Sequence, residues 1–353
     1  MSTQPEPIPP AADEAPAAEP LEPSSIDPLA PENTPAPPPE WTSEPETSQP
    51  GQAEPAIEPQ NPVHESLDQP LFTSYTQPLP PAPREERIPH LGHLCLLGLL
   101  VVFGWLGAGL LLFLALRMHL WGISNLSQAA TDFHYTLASQ GVQYLLTFAA
   151  CLLLFPIIWR KPFFDGVHWR GALAVQRFGR LLSAAVVCFF VAMINGMLMP
   201  GPTNAPIDQL FKSPGAAWVL FAFGVTLAPF FEEMAFRGFI LPSLCTAWDW
   251  SMENFTGAPR RPLAEAGSPN WSPTAMIVGS IITSVPFALM HGVQTAWSLG
   301  PFLLLIFVSL VLCWVRLSTR SLAASTIVHA CYNFMLFSFM LLGTDGFKHL
   351  DKM

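Results

Sequence analysis

From residue 91 onward apolar residues mostly do not alternate with polar ones at a helical or strand period; they gather in long runs. A helix rises about 1.5 Å per residue and needs about 20 apolar residues to cross a hydrocarbon layer about 30 Å thick. Runs of that kind cover 91–116, 139–158, 179–199, 215–246, 274–297, 299–316 and 320–342. The fourth is unusually long and carries Pro229, where a break is expected because proline removes a helical hydrogen bond. The pattern predicts seven to eight membrane helices, an all-α polytopic bundle occupying 89–353.

Residues 1–88 read differently. They are rich in Pro, Glu, Ala, Ser and Thr, as in PPAADEAPAAEPLEP and PENTPAPPPEW, and poor in the aromatic and β-branched residues that drive burial. Such a composition predicts a disordered tail with polyproline character. PAPPPEW at 35–41 could dock in an aromatic-lined groove of the SH3 or WW kind, although a solvated tail is the simpler reading. Composition sharpens the division. Residues 1–90 hold 24 of the 38 prolines and 16 of the 26 acidic residues against Arg84 and Arg87 alone, a net of −14 that leaves +4 for the remainder. A segment so acidic repels phosphate, so a nucleic-acid partner is excluded. Only 12% of the whole chain is charged, against about 25% in soluble proteins, which argues against a water-soluble enzyme.

Basic residues gather at Arg84/Arg87, Arg160/Lys161/Arg170/Arg177/Arg180, Arg260/Arg261 and Arg316/Arg320, whereas 118–138 carries none. By the positive-inside rule these loops and the N-terminal tail face the cytoplasm, in a plasma, inner or endoplasmic reticulum membrane. The start MSTQPEPIPP has neither the basic region nor the apolar core of a secretory signal. Trp105, Trp121, Trp159, Trp169 and Trp218 fall near expected helix ends and suit an interfacial aromatic belt. Cys95, Cys151, Cys188, Cys245, Cys313 and Cys331 stand singly, so they read as small core residues rather than as a disulfide framework.

Chemistry is concentrated in AAWVLFAFGVTLAPFFEEMAFRGFILPSL, residues 216–244, where Glu232, Glu233 and Arg237 interrupt an otherwise apolar helix. Each ionised group at membrane depth costs about 2.5–3.5 kcal/mol, so these three must be paired or reach water. At about 100° per residue Glu233 and Arg237 lie on one face, whereas Glu232 points about 100° away. Glu233 can therefore be neutralised within its own helix, and Glu232 needs a partner from another.

Two later runs offer partners: FALMH spaces Phe287 and His291 by four, and HACYN spaces His329 and Asn333 by four. A single intramembrane His can simply bond helix to helix. Glu232, His291 and His329 together could form a His₂Glu zinc site that keeps a position open for water. They could equally act without metal, with Glu232 as general base, His291 sharing its proton through a water, and His329 and Asn333 stabilising an oxyanion. Both routes end in water attacking an amide, and the stronger zinc-protease signal H-E-x-x-H is absent. Simple rise puts His291 at the opposite end of its helix from Glu232, which calls for a tilted helix or one that begins after Thr274.

EEMAFRG, FALMH and HACYN, in that order, resemble the E-E-x-x-x-R, F-x-x-x-H and H-x-x-x-N motifs of the CAAX protease and bacteriocin-processing (CPBP, or Abi) family, which includes the type II CAAX prenyl endopeptidases. The resemblance covers 215–342. It implies an all-helical intramembrane endopeptidase with Glu232 as base, Glu233 and Arg237 as a structural pair, and His291, His329 and Asn333 as the water- or metal-binding and oxyanion set. It also implies a peptide or membrane-protein substrate, with zinc an open question. The competing classes are a non-catalytic membrane scaffold or immunity factor, and an ion-coupled transporter, for which no inverted repeat is visible.

Overall fold

The computed structural model describes residues 86–199, 214–264 and 268–346; of the segment read as a tail, 1–85 lies outside them. Among the described residues the regular elements are helices, with no strand, and seven of the helices are long and apolar enough to cross a membrane. We label them α1 (Leu91–Arg117), α2 (Phe133–Trp159), α3 (Phe178–Leu198), a broken fourth span, α7 (Pro273–Met290), α8 (Leu299–Thr319) and α9 (Leu322–Gly343). The fourth span divides into α4 (Pro214–Val225), α5 (Leu227–Glu233), a π-helical turn (Met234–Ile240) and α6 (Leu241–Thr256).

Capping residues explain where several helices begin. Asp132 accepts from Tyr135 N, so α2 starts at Phe133, earlier than the apolar run alone suggests. Ser272 accepts from Ala275 N ahead of Pro273, and Ser321 from Ala324 N. A short polar side chain satisfies an orphan N–H in each case, and a proline in the first turn has no N–H to lose.

Small residues set the packing. Ala185, Cys188 and Ala192 of α3 meet Val308 and Leu312 of α8 and Ala324 and Val328 of α9 in one core cluster. Hydrocarbon gives no solvent drive for apolar helices to associate, so close approach and dispersion do that work. At Gly104 an added Cβ would collide with Thr147 Oγ1, and at Gly279 it would sit 2.7 Å from Cys245 Sγ, so at both a larger residue would force the neighbouring helix to shift. Large apolar side chains such as Phe103, Leu110 and Ile157 are left on the outside, the reverse of a soluble core.

Four details depart from the sequence reading. The fourth helix runs on to Thr256, well past 246, and its break falls at Thr226 rather than at Pro229. The reason is that Pro229 has no N–H to give the carbonyl four residues back, so the ladder fails upstream of the proline. Trp159 is no belt residue: it is buried against Phe155, 4.5 Å between ring centroids, and Phe163, while Trp105 lies midway along α1. Arg316 is 2% exposed, so it is not an interfacial cation. Arg87 and Ile88 are buried too, with Arg87 Nη2 donating to Glu253 Oε1 at 2.6 Å and to Arg261 O at 2.9 Å, so the folded body begins inside the segment assigned to the tail.

Candidate active site

α6 and α7 run antiparallel, and their pairing carries Glu232 to His291. Ser272 N donates to Asp249 at 2.9 Å, Cys245 Sγ to Ala275 O at 3.3 Å, and Leu241 packs beside Gly279. Further along, Phe236 meets Phe287 at 5.1 Å between centroids, and His291 ends the helix as its C-cap residue. The helix begins at Pro273, so the later start considered above is not found; the register with α6 brings the two groups together.

The two glutamates separate as the angular reading expects. Glu233 and Arg237 are each 0% exposed, joined by a 2.8 Å hydrogen bond from Nη1 to Oε1. Arg237 Nη2 also donates to the Ser309 carbonyl at 2.9 Å and hydroxyl at 2.7 Å, and its guanidinium lies 4.6 Å from the Phe287 ring centre. Thus Phe287 forms a cation–π wall for the ion pair. Glu232 keeps 13% exposure and His291 18%, so this side of the helix reaches an open space while the ion pair is sealed.

Glu232 Oε2 stands 3.9 Å from His291 Nε2 and 3.9 Å from His329 Nε2. The tautomers follow from the other ring nitrogens. His291 Nδ1 lies 2.8 Å from the Phe287 carbonyl, which can only accept. His329 Nδ1 lies 3.1 Å from Glu233 Oε1, already the partner of Arg237. Each Nδ1 therefore carries a proton, and both rings turn Nε2 toward Glu232. Glu232 Oε2 and the two Nε2 atoms thus converge on one space.

Asn333 is placed differently. It lies one turn beyond His329 on α9 and its Nδ2 donates at 2.8 Å to the carbonyl of Gly224, just before the break between α4 and α5. Sequence reasoning missed this tie, the Ser309 contacts and the bond from Glu233 to His329, all of which join residues remote in the chain. It also passed over Tyr144 of α2, whose ring lies 4.7 Å from that of Phe231 and within electrostatic reach of Glu232.

As a metal centre the donor types fit, since two imidazole Nε2 atoms and a carboxylate are a zinc set, and both Nδ1–H groups are held as outer-shell partners hold them. The spacing is wider than bound ligands adopt: a tetrahedral site with bonds of about 2.0–2.1 Å sets its donors about 3.3 Å apart. Among the described residues no group of three His, Cys, Asp or Glu side chains is spaced to hold a metal ion as it stands.

Comparison with protein families matches residues 214–335 to the type II CAAX prenyl endopeptidase Rce1-like family. No curated protein and no solved structure matches the chain. The matched segment is about a third of the chain and takes in α4 to α8 and most of α9, hence every residue of the Glu232 and Glu233 clusters apart from Tyr144. The similarity to that family of prenyl endopeptidases thus rests on residues 214–335, the part of the chain that carries both glutamates and both histidines.

Proposed function

We propose that this membrane protein cleaves a peptide bond near the C-terminus of a CAAX-type, prenylated substrate, using a water activated by Glu232. The observation that carries the reading is the placement of Glu232 Oε2 at 3.9 Å from two Nε2 atoms while Glu233 is sealed against Arg237. Gaps of that size are too long for direct hydrogen bonds and suit a bridging water. Such a water donates one hydrogen to Glu232 and is aligned by the second toward a histidine. As its oxygen bonds to the scissile carbonyl carbon, its proton passes to Glu232. The oxyanion then needs donors. His329 serves as one when it enters the cycle with a second proton, taken up from solvent, on Nε2 and held as the imidazolium by Glu233 through Nδ1–H, and the second amide hydrogen of Asn333 is available beyond its bond to Gly224. Glu232 returns its proton to the departing nitrogen as the C–N bond breaks. A zinc ion held by Glu232, His291 and His329 would supply Lewis-acid polarisation of the same water.

The test is turnover of a farnesylated CAAX peptide by purified protein in detergent, beside the same peptide unprenylated. Cleavage of the farnesylated form, abolished in Glu232→Gln, supports the proposal. Equal cleavage of both peptides would replace the CAAX-type substrate with a general peptide one, and no cleavage by wild-type protein would favour a non-catalytic scaffold. Turnover that survives o-phenanthroline would favour the metal-free route.

A further inference from the structure

The two glutamates sit between two prolines that each break the backbone ladder. Upstream, the carbonyl of Gly224 at the break takes its hydrogen bond from Asn333. Downstream, the π turn pairs Leu241 N–H with Phe236 O, five residues back. The next pair in that register would be residue 242 with Arg237 O, but Pro242 has no N–H. Arg237 O is instead met by Arg316 Nε at 3.2 Å, in a buried contact from α8. Arg316 Nη2 also lies 3.4 Å from Val167 O, which anchors the guanidinium from the far side. No carboxylate lies in a salt bridge with Arg316 among the described residues, so this buried cation is spent on backbone carbonyls.

The turn it supports determines where the glutamates point. Leu241 and Cys245 pack on α7, and Glu232 must meet His291 at the end of the same helix. In an unbroken α-helix Glu232 and Leu241, nine residues apart, would lie about 180° from each other. The extra residue in a π turn removes one step and brings them to about 80°. One helix can then address α7 with both ends.

We propose that Arg316 is a positioning residue for the catalytic turn: it supplies the hydrogen bond that Pro242 cannot, and so holds the π turn that aims Glu232 at His291 and His329. The inference rests on the catalytic reading for its effect on turnover, but its structural half can be read without any substrate.

The experiment is a double-mutant cycle of Arg316→Met and Pro242→Ala in the full-length protein, read by backbone hydrogen exchange and by turnover of the farnesylated CAAX peptide. Pro242→Ala restores an N–H five residues on from Arg237. Arg316→Met should raise exchange across 238–241 by about tenfold or more, with little change in α3, and lower kcat while KM stays near the parental value. In the Pro242→Ala background the same change should raise exchange by no more than about threefold. Unchanged exchange in Arg316→Met, or an equal rise in both backgrounds, would overturn the proposal. Should Arg316→Met fail to accumulate, Arg316→Lys, which keeps a charged donor, enters the same cycle under the same criteria. If wild-type protein does not cleave the peptide, the catalytic reading fails and the exchange data still decide the role of Arg316 in the turn.

Discussion

Glu232 and Glu233 are adjacent and identical, and their surroundings assign them different work. Glu233 accepts from Arg237 and from His329, so Glu233→Gln leaves a buried guanidinium without its counter-charge and loosens the His329 tautomer. Removing one partner of a buried pair costs about 3–5 kcal/mol, so a clear drop in melting temperature in detergent is expected along with lost turnover. Glu232→Gln keeps shape and loses only the base; its melting temperature should stay within a few degrees of wild type while turnover falls by about a thousandfold or more. Equal loss of melting temperature in the two variants would remove this division. If Glu232, His291 and His329 act around one water, combining His291→Ala with His329→Ala should cost little more than either alone, because groups acting as a unit are strongly non-additive. Losses that multiply would mean separate roles.

At the scale of elements, the fourth span is informative because it is not one helix. Its 42 residues from Gly215 to Thr256 would reach about 63 Å if straight, twice the hydrocarbon thickness. Thr226 marks the first defect, and the Asn333 amide serves the Gly224 carbonyl beside it. Asn333→Leu should therefore destabilise the joint by about 1–3 kcal/mol, the cost of leaving a buried carbonyl unserved, in addition to any effect on oxyanion binding. A melting temperature unchanged from wild type, with turnover lost, would assign Asn333 to chemistry alone. Phe287 links two elements in a similar way, through the face of Arg237 and the carbonyl that fixes His291. Phe287→Leu keeps the carbonyl and removes the cation–π contact, so a loss of about 1–2 kcal/mol in stability is expected, larger than its effect on His291.

For the whole molecule, the contacts place the basic loops at one end: Arg87 meets Arg261, and the backbone of His168 and Arg170 receives Leu322 N and Ser321 Oγ. We expect this end to face the cytoplasm, with single cysteines introduced near Arg177 and Arg260 labelled by an impermeant reagent only from that side. Labelling from the opposite side would invert the topology. The boundary of the acidic segment gives a second expectation. Deleting residues 2–85 should leave turnover near the parental level, since their composition supplies nothing to a packed core. Extending the deletion through Arg87 and Ile88 should lower thermal stability, because Glu253 loses its buried partner.

By itself the sequence determined that this is a membrane bundle, since uninterrupted apolar runs admit almost no other structure in lipid. It also determined the local pairing of Glu233 with Arg237, because four residues of helix bring two side chains together whatever surrounds them. The distance between Glu232 and the two histidines, the bond from Glu233 to His329, and the burial of Arg316 were settled only by tertiary packing. Each joins helices remote in the chain, where apolar runs set length and leave rotation about the helix axis undefined. That rotation is decided by small-residue contacts such as Gly279 on Cys245 and by the backbone defects at Thr226 and Pro242, which turn one end of a helix against the other.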